Sequence, residues 1–80
     1  MIREIPYELP REIFETARER YWDTATGKHI AIKKVKYKGR MREMAVAYDQ
    51  VGEHIVIITI HPLKVLQKMN RVTSRRWQKI

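Results

Sequence analysis

The chain contains no cysteine, so disulfide frameworks, thiolate zinc sites and cysteine nucleophiles are all excluded. Glycine is nearly as scarce. Gly27, Gly39 and Gly52 stand singly between apolar segments, so each reads as a turn and none builds a phosphate-cradling loop. There is no His-x-x-x-His pair and no strand-like stretch gathering carboxylates, so neither a metal nor another cofactor is expected. The longest largely apolar run, Ile55 to Ile60 with Thr59 inside it, is six residues, far below the roughly 18 that cross a bilayer. The start, MIREIPYELP, lacks the basic-then-apolar order of a signal peptide. A cytoplasmic protein without membrane contact is the expectation.

What is present is charge. In 80 residues, enough for one domain (1–80), charged side chains make up 32%. A chain this short hides only about 60 to 65% of its unfolded surface, so its core is a single layer packed on another. The net charge of +8 is uneven: residues 1–23 carry six acids and four bases, and residues 24–80 carry three acids and thirteen bases. A cationic field of that kind attracts polyanions, RNA first among them, with an anionic membrane or an acidic protein as competitors and simple solubility as the bland alternative.

Pro10 and Glu12 mark a helix entry, and Ile13, Phe14, Ala17 and Tyr21 recur at helical spacing, which predicts a helix over 10–22. Asp23–Gly27 is a turn. Residues 29–61 read as an antiparallel meander: a strand from His29, a short turn at Gly39-Arg40, a strand through Met44, Val46 and Tyr48, and a strand from His54 to Ile60. Ile30 and Ile32 differ in parity from Val35 and Tyr37, which predicts a bulge near Lys33-Lys34. The His54–Ile60 strand, apolar on both parities, is expected at the centre of the sheet. Pro62 ends it and opens a basic C-terminal segment, 62–80, with Leu63, Leu66 and Met69 in a short helix or turn and Val72, Trp77 and Ile80 left for a last strand or tail. The class is α+β, an N-terminal helix on a curled antiparallel sheet of three or four strands.

Basic groups hold phosphates and aromatic faces stack on unpaired bases, so Lys34, Lys36, Lys38, Arg40, Tyr48, Arg71, Arg75 and Trp77 are candidate contacts to single-stranded RNA. Lys34, Lys36 and Lys38 share one parity and form a candidate cationic stripe. His29 and His54 begin strands and read as surface residues. His61 ends the apolar strand beside the basic segment, where an imidazole can move a proton at a ribose 2′-hydroxyl while Arg71, Arg75 or Arg76 neutralises the phosphorane. Its bland alternative is a cap on the Pro62 turn.

The stretch Thr16 to Pro62, TARERYWDTATGKHIAIKKVKYKGRMREMAVAYDQVGEHIVIITIHP, resembles the small RelE-like domains of the barnase, EndoU, colicin and RelE class, in the branch that opens with a His-Ala-x-x-Arg helix. Ala17 and Arg20 match that helix, Tyr48 the end of the first strand, and Thr59, Ile60 and Pro62 the close of the second. Thr16 stands where the family carries histidine. The resemblance implies a helix on a twisted antiparallel sheet, metal-independent RNA cleavage, and a cognate antitoxin as partner. With it, His61, Arg20, Arg76 and Lys33 are the catalytic candidates, Arg20, Lys33, Arg71 and Arg76 serving to hold phosphate. A non-catalytic RNA-binding or ribosome-associated module, and an antitoxin-paired subunit without nuclease activity, are the alternatives.

Overall fold

The computed structural model describes residues 8–80. Helix α1 (Leu9–Thr16) places Pro10 in its first turn, where a missing N–H costs nothing, and Glu12 near the positive end of its dipole. It buries Leu9 and Ile13. The helix stops well short of Trp22 because Ala17 turns extended, with φ −64° and ψ 136°, while its N–H still bonds the Ile13 carbonyl. Residues Glu19–Asp23 then form strand β1, which pairs with a neighbour on each side. Those two ladders satisfy the backbone as fully as more helix would.

Strands β2 (Lys28–Tyr37), β3 (Arg40–Val51) and β4 (His54–Pro62) follow as a meander, then helix α2 (Gln67–Thr73) and strand β5 (Trp77–Lys79). The sheet has five strands in the order β4-β3-β2-β1-β5, and every neighbouring pair is antiparallel. The class is α+β with α1 packed on an open antiparallel sheet, one strand more than the upper expectation. Lys38 and Gly39 join β2 to β3 with φ of 52° and 81°, the two positive values that a tight primed hairpin turn requires.

Both faces of the sheet are covered. On one, α1 sets Leu9, Ile13 and Ala17 against Ala31, Val35, Met44, Val46 and Tyr48. On the other, Leu63 and Trp77 of the C-terminal segment meet Tyr21, Ile30, Ile32, Ala45 and Ala47. This two-sided burial explains why Ile30, Ala31 and Ile32 are all buried without a bulge: β2 and β3 stay in register through Lys33↔Met44 and Lys34↔Glu43. The register shift lies instead between β3 and β4, where Ala47 pairs with Thr59 and Tyr48 with Ile57, leaving Ile58 as the extra residue.

Strand β4 is the edge of the sheet, not its centre. Val56, Ile57 and Ile58 remain 45%, 37% and 48% exposed, because α1 and the C-terminal segment cover chiefly the inner strands. Leu63 is buried as a core residue, whereas Leu66 and Met69 point outward at 60% and 61% exposure. Two cations of α2, Lys68 and Arg71, are half-buried against the sheet.

Candidate functional site

On the α1 face the cations are spent on structure. The Arg20 guanidinium donates to the Phe14 carbonyl, one of the helix-end acceptors left without an intrahelical partner, and to the Tyr48 hydroxyl at 3.2 Å. It also lies 5.1 Å from the centre of the Phe14 ring. Arg20 therefore fastens the end of α1 to β3. Lys33 Nζ donates to Thr16 Oγ1 at 2.6 Å, and that hydroxyl donates to the Glu12 carbonyl. Thr16 thus serves as a link between helix and strand.

Beside this link, Trp22, His29 and Tyr48 form an aromatic row: His29 stacks on Tyr48 at 5.1 Å and meets Trp22 edge-on at 5.1 Å. His29, expected as a strand-start surface residue, is thereby corrected to a member of this row. Its alternation with Ile30 on a strand covered on both sides is the signal that it would be enclosed. Tyr48 is 5% exposed, so its ring belongs to this row and to the core rather than to an incoming base.

The α2 face is held differently. Lys68 Nζ donates to Glu43 Oε2 at 2.7 Å and to both Glu19 oxygens at 3.1 Å, while the Tyr21 hydroxyl donates to Glu19 at 2.8 Å. The bond to Glu43 outweighs burial and, with Glu19, raises the Lys68 pKa. Burial alone would raise Glu19, but the Tyr21 hydroxyl and Lys68 hold it below the usual carboxylate range. One cation on α2 thereby ties the helix to β1 and β3. At the far edge, Asp23 is 3% exposed and accepts from Arg76 Nε at 3.1 Å, Arg76 Nη2 at 3.3 Å and the Ala25 N–H at 2.9 Å. Burial pushes its carboxyl up, and these bonds more than reverse that shift.

His61 pairs with Ala45 in the ladder and so lies on this same face. Burial, and then the positive charge of Arg71, lowers its pKa, which favours the neutral imidazole. Arg71 stands with its guanidinium carbon 5.9 Å from the Trp77 ring, and its buried Nε has no hydrogen-bond partner among the described residues. With Lys64, Gln67, Asn70 and Ser74 it lines an open cleft. A second cleft on the same flank of α2 is lined by Arg40, Arg42, Glu43, Lys64 and Lys68. Lys34 and Lys36, exposed on the parity of Ile32, extend the cationic surface along the β2–β3 hairpin, where Lys38 and Arg40 are also exposed.

The expected catalytic set is therefore divided. Arg20 pairs with Ala31 and shares the α1 face with Lys33, His61 lies on the opposite face, and Arg76 is engaged by Asp23 near the β1–β5 edge. A single site cannot hold all four. Trp77, 3% exposed with its ring stacked on Tyr21 at 5.9 Å, offers no face to a base. Arg75 is exposed at a left-handed φ of 66°. What the fold does bring together is His61, Arg71 and the clefts beside α2, including Lys64 and Asn70, which sequence patterning left unmarked. Only their place just after Pro62, in the basic segment, hinted at them.

Among the described residues no three His, Asp or Glu side chains converge as a metal-ligand set would, and no helix is long and apolar enough to cross a membrane. Compared with family models, curated proteins and solved structures, the chain matches none.

Proposed function

We propose that the chain is a RelE-like, toxin-type endoribonuclease of the cytoplasm that binds RNA on the α2 face and cleaves it without a metal. His61 is what supports this reading: an imidazole favoured in its neutral form by burial and by the charge of Arg71, which itself lines an open cleft with Lys64. A neutral imidazole can take the proton of a ribose 2′-hydroxyl, the 2′-oxygen then attacks phosphorus, and the 5′-oxygen departs with a proton from an acid or from water. Arg71 meets the charge of the phosphorane. The products are a 2′,3′-cyclic phosphate and a 5′-hydroxyl. Lys34, Lys36, Lys38, Arg40, Lys64 and Arg75 serve as phosphate contacts that set register rather than sequence. An antitoxin encoded beside it is the partner this reading implies.

The test is incubation of single-stranded RNA with the protein in excess chelator, comparing wild type with His61→Ala and Arg71→Met. Loss of cleavage in both, with the fold intact, is the expected result; full cleavage by His61→Ala would remove that residue's role. The division of Arg20, Lys33 and Arg76 among structural contacts favours a second reading, a non-catalytic RNA-binding or ribosome-associated module. It is distinguished by salt-sensitive binding that leaves the RNA whole.

A further inference from the structure

Strand β4 reads His54-Ile55-Val56-Ile57-Ile58-Thr59-Ile60-His61, which is nearly the same in both directions, with Thr59 standing as the near-isostere of Val56. We propose that this strand pairs with β4 of a second copy, antiparallel about a two-fold axis between Ile57 and Ile58. The facing pairs are then His54 with His61, Ile55 with Ile60, Val56 with Thr59 and Ile57 with Ile58.

Such symmetry fails in a regular strand. Residues directly opposite in an antiparallel ladder point to the same face, and Ile55 and Ile60, five positions apart, would point to opposite faces. The register shift removes the conflict. Before it, Val51↔His54, Gln50↔Ile55 and Asp49↔Val56 place His54 and Val56 on the α2 face and Ile55 on the α1 face. After it, Ala47↔Thr59, Val46↔Ile60 and Ala45↔His61 place Thr59 and His61 on the α2 face and Ile60 on the α1 face. With Ile58 as the extra residue, every facing pair away from the axis lies on one face, and the irregularity falls on the axis itself. A bulge elsewhere would turn the edge away from partners.

Charge selects the occupant. The chain carries +8, yet Ile55 to Ile60 has no charged side chain, so neither a polyanion nor an acidic peptide finds a counter-charge on this edge. A second strand of the same apolar pattern does find its match. Among the described residues no strand pairs with the outer edge of β4, and Val56, Ile57 and Ile58 are 45%, 37% and 48% exposed there. An eight-residue register supplies about six to eight backbone hydrogen bonds and joins two five-stranded sheets into one.

The pairing also sets His54 of one copy opposite His61 of the other, with Cβ atoms about 5 Å apart. On the cleavage reading, and only on it, His54 of the second copy is the acid that protonates the departing 5′-oxygen, so each dimer holds two composite sites.

The absence of cysteine makes the register directly testable. Val56→Cys and Thr59→Cys variants are prepared separately, mixed and oxidised. A cross-link in the mixture, and little in either variant alone, is expected, because a residue and its own symmetry mate lie about 10 Å apart along the strand, beyond the reach of a disulfide. Sedimentation over a concentration series accompanies this, with Ile58→Lys, an exposed substitution that leaves the core intact by circular dichroism, raising the dimer dissociation constant about tenfold or more. A monomer at all concentrations, cross-linking of each variant with itself, or open-ended assembly would each overturn the dimer. None of these readouts depends on RNA cleavage, so a dimer without nuclease activity leaves the pairing standing and removes only the role given to the two histidines.

Discussion

The two faces of the sheet differ in how far their cations are committed to the fold. On the α1 face Arg20 and Lys33 are held by the Phe14 carbonyl, the Tyr48 hydroxyl and the Thr16 hydroxyl, and they close the structure. On the α2 face Lys68 bridges Glu19 and Glu43, Arg76 holds Asp23 and Lys28 holds Asp49, while Arg71 and Lys64 line open clefts. A basic composition thus says little by itself. What matters is which cations the fold has already committed.

The largest expected effect tests where the stability lies. Ile13 is fully buried on the inner side of α1, and Ile13→Ala removes about 3 kcal/mol in urea unfolding by lost transfer energy and a cavity, whereas Ile58→Ala on the exposed edge changes the monomer's stability by about 0.5 kcal/mol or less. Comparable losses from both would erase the distinction between core and edge.

Next is the Asp23–Arg76 pair. Asp23→Ala leaves a guanidinium beside a buried site and costs about 2 kcal/mol, less than a fully buried pair because Arg76 is partly exposed. The sign with pH follows from the lowered Asp23 pKa: its contribution is present above the unfolded-state carboxylate value and is lost as pH falls through the folded one. Acid unfolding of wild type should therefore be steeper than that of Asp23→Asn, as followed by fluorescence from pH 5 downward.

A smaller effect separates the two faces by function. Arg71→Met lowers the slope of RNA affinity against salt by about one phosphate contact, whereas Arg20→Lys leaves that slope unchanged and costs about 1 kcal/mol of stability. Equal slopes for all three proteins would place Arg71 with the structural cations. The smallest concerns proton transfer: because the His61 pKa is lowered, the acid limb of the cleavage profile should fall below the value of about 6.5 for a free histidine. Arg71→Met, by removing one of the two causes, moves the His61 imidazole midpoint followed by NMR back toward it.

The sequence carried the class, the meander and its turns, since Gly27, Gly39 and Gly52 stand where the chain reverses. It concealed β1. Tyr21 falls in helical step with Ile13 and Ala17, and no glycine or proline intervenes before the chain turns extended at Ala17. Only the ladders to β2 and β5, which are tertiary, decide the matter. The apolar run of β4 misled for a different reason. Hydrophobicity on both parities is the mark of a strand buried on both faces, but here it belongs to an edge whose irregularity switches the face each residue takes. His61 and Arg71 could be marked from residue type and position, whereas the separation of Arg20 and Lys33 from them depends on strand parity across four strands. The burial of Trp77 depends on β5, a three-residue strand too short to announce itself in a sequence.

The three histidines allow the central contrast to be read in one measurement: His29 lies in the aromatic row on the α1 face, His61 on the α2 face, and His54 at the start of β4. Imidazole resonances followed by NMR during titration with a short single-stranded RNA should move for His61 and stay in place for His29. Movement of His29 with His61 unchanged would put the RNA on the α1 face and contradict the assignment of function to the other side of the sheet.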